Sequence, residues 1–160
     1  MERKSEVIET LNDLILINND RIAGYEKSYE ETDNIETDLK GLFQKYINDS
    51  RGFISQLTDE VIKLGGQPAD GTLFSGKLYR VWMNIRATFS SDNRKAVLEN
   101  SEAGEDAAQE AYAEALKAEE LPADLQQLIL SQKTILKEAH DNIKSQRDQQ
   151  RDVWNYPLTT

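Results

Sequence analysis

A chain of 160 residues and 18.2 kDa, with 38% hydrophobic and 30% charged residues, has the size of one domain and the balance of thin helices that each bury a single stripe. A formal charge of −10 and a pI near 4.6 set most of the surface against phosphate backbones and anionic membrane faces, so neither nucleic acid nor membrane is an expected partner. The absence of cysteine excludes disulfides, thiolate metal sites and thiol catalysis.

The N-terminus, Met1 to Glu6, leads into a mixed polar and apolar pattern without the apolar core of a signal peptide, and the chain reads as cytoplasmic. The apolar runs Leu14 to Ile17 and Leu128 to Leu130 fall far short of the roughly 20 residues that cross a bilayer. In the first segment Val7, Leu11, Leu14, Asn18, Arg21, Tyr25 and Ser28 alternate steps of four and three, which predicts a helix over about 5–31. The polar stretch 31–38 follows as a tight antiparallel turn, rich in residues able to cap the next helix.

The second helix, about 38–65, carries Leu39, Leu42, Phe43, Tyr46, Ser50, Phe53, Leu57, Val61 and Leu64 on one face. Asp59 and Lys63 stand at the spacing of an exposed ion pair, and Gly65 suits a left-handed cap. Gly66, Pro68, Gly71 and Gly76 then break the pattern, so residues 66–93 read as a long crossover holding a short helix over about 76–88, with Trp82 and Phe89 as its apolar face. Ser90, Ser91 and Asp92 offer a cap for a third long helix, about 94–118, whose inner row is Val97, Ser101, Gly104, Ala108, Ala111 and Ala115, flanked by Leu98, Glu105 and Tyr112. Pro122 suits the first turn of a fourth helix, about 122–153, presenting Leu125, Leu128, Ile129, Gln132, Ile135, Leu136, Ala139, Ile143, Gln146 and Gln150, and residues 157–160 form a loose tail.

Two antiparallel helix pairs joined by a crossover predict an all-α, ferritin-like four-helix bundle, because up-down bundles use short turns throughout. The segments 11–15, 18–21 and 24–27, Leu64-Gly65-Gly66 with Pro68 and Gly71-Thr72, Trp82-Met83-Asn84, 102–106 and 139–144 together resemble the bacterial ferritin-like four-helix-bundle domains catalogued as a domain of unknown function. That resemblance implies the fold and carries no established activity.

Ferritin-like enzymes hold two metal ions with one Glu from each of two helices and a Glu-x-x-His pair from each of the other two. Here the one histidine, His140, is preceded three residues earlier by Lys137, and the second helix has no histidine, so both pairs fail. At a rise of about 1.5 Å per residue, Glu26 falls about 12 Å above the bundle middle and Glu60 about 13 Å below it, too far apart to share an ion. Asn18, Ser50, Glu105 and His140 all fall within about 4 Å of the middle and predict a polar layer there.

The favoured reading of that layer is a hydrogen-bonded network in which His140 and Glu105 satisfy one another. A reduced metal site, with iron or manganese on Glu102 or Glu105 and His140, is the next reading, and general acid-base chemistry by Glu105 and His140 the last. No glycine-rich stretch ends in the Gly-Lys-Ser/Thr of a phosphate loop, and Tyr25, Tyr29, Tyr46 and Tyr112 sit at helical spacing as core-edge residues. The sequence thus favours a non-enzymatic bundle without a cofactor, acting by self-association or protein binding. Its alternative is a metal-dependent oxidase or iron-handling protein.

Overall fold

The computed structural model describes residues 2–71 and 93–155, and within them four long helices: α1, Glu2–Glu31; α2, Thr37–Lys63; α3, Asn93–Leu116; and α4, Ala123–Asn155. No strand occurs among the described residues. The predicted short helix over 76–88, the packing of Trp82 and Phe89, the Ser90 to Asp92 cap and the tail 157–160 lie outside them.

Each helix buries most of the row that its spacing selects, with Leu42, Leu64 and Ala111 half-buried. Val7, Leu11, Leu14, Asn18, Arg21, Tyr25 and Ser28 of α1 are all buried, as are Leu39, Phe43, Tyr46, Ser50, Phe53, Leu57 and Val61 of α2. On α4 the row narrows, since Ile135 stands exposed and Leu128 and Gln146 half-buried while Leu125, Ile129, Gln132, Leu136, Ala139 and Ile143 turn inward. Tyr25, Tyr46 and Tyr112 lie inside rather than at the core edge, and among the described tyrosines only Tyr29 is exposed.

Topology follows from the contacts at the helix ends. Arg94, at the start of α3, pairs with Glu36 and with Asp38 (3.1 Å) at the start of α2, so these two helices begin at the same end of the bundle and run parallel. Glu36 is the N-cap residue of α2 and makes no side-chain capping bond; its carboxylate is held by Arg94 instead of by free amides.

At the far end, α2 closes in a Schellman arrangement: the Gly65 amide donates to the Ile62 carbonyl (2.9 Å) and the Gly66 amide to that of Val61 (2.9 Å), with Gly65 at φ +81°. A Cβ on Gly66 would stand 2.8 Å from Cγ2 of Ile8, so only glycine lets the chain leave α2 this close to α1. Residues 67–71 then climb α1: Asn12 donates to the Gln67 carbonyl (3.0 Å) and accepts from the Ala69 amide (2.8 Å), and Asn19 donates to the Gly71 carbonyl (2.7 Å). The crossover therefore starts back toward the end where α3 begins, as a ferritin-like path requires.

Smaller expectations shift. Lys63 pairs with Glu60 (3.2 Å), three residues back, instead of with Asp59. Pro122 stands just before α4 and caps it with its carbonyl, which accepts from Gln126 (3.0 Å). Helix α3 ends at Leu116, two residues early, because Lys117 and Ala118 bond to carbonyls three residues back and tighten the last turn.

The interior has three tiers. One apolar cluster holds Leu11, Leu14, Leu57, Val61, Leu125 and Ile129 among others, and a second, toward the α1–α2 turn, holds Tyr25, Leu39, Phe43, Val97, Leu98 and Ile143. Between them lies a layer of polar side chains.

Candidate functional site

Every helix contributes to this layer. Arg21 of α1 is buried, and its Nε and Nη2 donate to the two oxygens of Glu105 on α3 at 2.6 and 2.9 Å. Its Nη1 donates to Ser50 Oγ (2.8 Å) and to the Tyr46 carbonyl (3.1 Å) on α2. The guanidinium also lies 5.1 and 5.4 Å from the ring centres of Tyr25 and Tyr46, where a ring face attracts a cation.

From Ser50 the network continues without a conflict of direction. Ser50 donates to Asn18 Oδ1 (2.9 Å), Asn18 Nδ2 donates to the Tyr112 hydroxyl (2.8 Å) and the Leu14 carbonyl (2.8 Å), and Tyr112 donates to Gln132 Oε1 on α4 (2.7 Å). Gln132 Nε2 closes the path on Gln56 (3.1 Å) and the Phe53 carbonyl (3.3 Å) of α2.

The electrostatics follow from burial and pairing. Burial alone would lower the pKa of Arg21, but the charge and hydrogen bonds of Glu105 outweigh it and hold the guanidinium above its usual range. Burial raises Tyr25 well above its ordinary value, with Glu105 adding to the shift, and pushes Tyr46 up to about 12.

The sequence placed Asn18, Ser50 and Glu105 in this layer, and the structure brings them together there. It does not place His140 with them. Glu105 is paired with Arg21, and His140 lies one residue round α4 from the inward Ala139, which turns it into the seam between α3 and α4. There it meets Asp106, which is likewise one residue round from Glu105: Nε2 of His140 lies 2.6 Å from Asp106 Oδ1, and Nδ1 lies 3.0 Å from Asp141 Oδ1.

Glu102, one turn before Asp106, completes a group of Glu102, Asp106 and His140 whose donor atoms all lie within 4.8 Å of one another. Of the sequence candidates, Glu102 and His140 thus meet and Glu105 stands apart. Asp106 went unnoticed, although it stands four residues after Glu102 on one helical face. Arg21 also escaped, although it lies in the inward row of α1, where a guanidinium requires a buried acceptor.

A separate surface cavity of about 360 Å³ opens between α1 and α3, lined by Thr10, Asp13, Leu14, Ile17, Ala111 and Glu114 among others. Burial, with Glu9 nearby, raises the pKa of Asp13 at its wall.

The profile of the family described as Domain of unknown function (DUF2383) matches residues 6–118. The chain belongs to that family. Among solved structures it is similar to a Dps1 mutant of Mycobacterium smegmatis, with a TM-score of 0.75 and 16% identity over 91% of this chain and 97% of that one. It is also similar to a ferritin-like, diiron-carboxylate protein of Bacillus anthracis, with a TM-score of 0.64 and 19% identity over 91% of this chain and 96% of that one. No curated protein matches the chain significantly. These likenesses establish a ferritin-like helical bundle.

A diiron-carboxylate centre needs several convergent carboxylates and imidazoles, and the central layer does not supply them. Among the described residues hydrogen-bonded into the layer, the carboxylate of Glu105 is held at both oxygens by a guanidinium and the other side chains are amides and hydroxyls, while Asp20 on α1 is a further buried carboxylate. Two dications seated there would also face the fixed positive charge of Arg21.

Proposed function

We propose that the protein is a non-enzymatic, ferritin-like helical bundle that acts through its surface, by self-association with copies of the same chain. The observation that carries this reading is the Arg21–Glu105 pair: where a dinuclear centre would need open carboxylates, the chain supplies its own cation and satisfies both oxygens of its acid. What is left for function is the exterior. There Ile35, Ile62, Leu130 and Ile135 are exposed and offer apolar contact area to a second copy. A cysteine-free chain in which no described helix is long and apolar enough to cross a membrane suits a cytoplasmic setting.

The test has two arms on protein purified without chelator. Light scattering across concentration should give a mass above the 18.2 kDa of one chain. Ferrous iron in air should oxidise no faster with the protein than with a folded Glu105→Gln variant. A monomer at every concentration rejects self-association and turns attention to a different protein partner. Iron oxidation that depends on Glu105 rejects the non-enzymatic reading.

A further inference from the structure

The seam between α3 and α4 gathers the one imidazole of the chain and two carboxylates at a place that the central network does not use. We infer that Glu102, Asp106 and His140 form a binding site for a single divalent first-row transition-metal ion. The site stands apart from the Arg21–Glu105 layer and does not depend on self-association.

Geometry is the first support. Glu102 and Asp106 project from one face of α3 four residues apart, His140 faces them from α4, and one donor atom of each lies within 4.8 Å of the others. A metal ion with bonds near 2.0 to 2.2 Å holds its ligand atoms about 3 to 4.4 Å apart, so small side-chain movements would bring these three onto one ion.

The state of the imidazole is the second. Nδ1 of His140 is held by Asp141 at 3.0 Å, while Nε2 points at Asp106, 2.6 Å away. Histidines that bind metal commonly donate their second ring N–H to a carboxylate, as Asp141 stands to receive here, and an incoming ion would take the place of the proton shared between Nε2 and Asp106. Asp141 is itself tied to Lys137 Nζ at 2.9 Å, so the orienting carboxylate is held in place.

Burial is graded in the way a site with an entry path needs. The side chains of Glu102 and His140 are 12% and 17% exposed, whereas Asp106 is 60% exposed and leaves one side open to solvent, where water would complete the coordination. Arg147 contacts Oε2 of Glu102, so an ion bound here would share that carboxylate with a guanidinium.

The donor set selects the ion class. A nitrogen with two carboxylates suits Mn²⁺, Fe²⁺, Co²⁺ or Zn²⁺, while Mg²⁺ and Ca²⁺ prefer oxygen throughout. Two carboxylates neutralise the dication, and affinity should rise from Mn²⁺ toward Zn²⁺.

The test is a titration of the full, chelator-stripped chain with Mn²⁺, followed by electron paramagnetic resonance, with Zn²⁺ as competitor and helicity checked for each variant. Expected is one Mn²⁺ per chain, nitrogen coupling in the pulsed spectrum, and displacement by Zn²⁺. His140→Ala should abolish the nitrogen coupling and weaken binding by more than about tenfold, the lower end of what loss of an outer partner alone costs. Glu102→Gln and Asp106→Asn should each weaken it comparably, and Glu60→Gln on α2, which removes the same charge elsewhere, should leave it unchanged. Binding that Glu60→Gln weakens as much as His140→Ala does, a spectrum without nitrogen coupling, or no stoichiometric Mn²⁺ would overturn the site.

Discussion

Arg21 is the residue on which the interior turns. A guanidinium taken out of water is costly, and Glu105, Ser50 and the Tyr46 carbonyl offset that cost only while all of them are present. Glu105→Gln should therefore destabilise the fold by on the order of 3 to 5 kcal/mol in denaturant unfolding, because it leaves a buried cation without its counter-charge. Replacing both partners, Arg21→Met with Glu105→Leu, should come closer to wild type than either single change. A pair of single variants whose losses simply add would show that the two side chains do not act as a unit. The buried tyrosines give a second prediction. Burial raises the folded-state pKa of Tyr46 from 10.0 to about 12, so its contribution is complete below pH 10 and is lost as pH rises toward 12, because the unfolded chain ionises first. Tyrosinate absorbance from Tyr25, Tyr46 and Tyr112 should appear together with loss of helicity; their titration near pH 10 in a still-folded chain would contradict the burial.

At the scale of the helix, glycine positions separate local propensity from geometry. Gly41 and Gly52 lie on the exposed face of α2 with nothing within 4 Å of an added Cβ, so replacing either with alanine should stabilise the protein by roughly 0.5 to 1 kcal/mol. Gly65 has equal room, yet its φ of +81° makes alanine there cost about 1 to 2 kcal/mol. Thermal melts of these variants should move in opposite directions; a gain from Gly65→Ala would refute the left-handed cap. The inward rows of all four helices were legible in the sequence because burial repeats every three to four residues, and the Gly65 cap because it closes such a row. What the rows do not encode is which polar residue faces which. Glu105 and His140 sit at similar height, but a turn of about 100° per residue separates a side chain aimed at the core from its neighbour aimed at a seam. One residue of rotation is why Glu105 meets Arg21 and His140 meets Asp106.

For the whole molecule, the path between the pairs decides the architecture. Arg94, anchored to Glu36, Asp38 and Gln146 (3.3 Å), ties the start of α3 to the α1–α2 turn and to α4, a long-range clamp that no sequence spacing announces. The start of the crossover, residues 66–71, was legible from Gly66, Pro68 and Gly71, which end the helical pattern of α2. The missing Glu-x-x-His pairs argue in the sequence against a dinuclear centre and leave a reduced carboxylate and histidine site as the alternative; in three dimensions Arg21 stands paired with Glu105 at mid-bundle. The most direct test is anomalous diffraction at the iron edge from crystals soaked anaerobically in ferrous iron. The account predicts no anomalous peak among Asn18, Arg21, Ser50 and Glu105, with the Arg21–Glu105 pair intact. Two peaks between the four helices at that tier, with Arg21 swung away from Glu105, would contradict it.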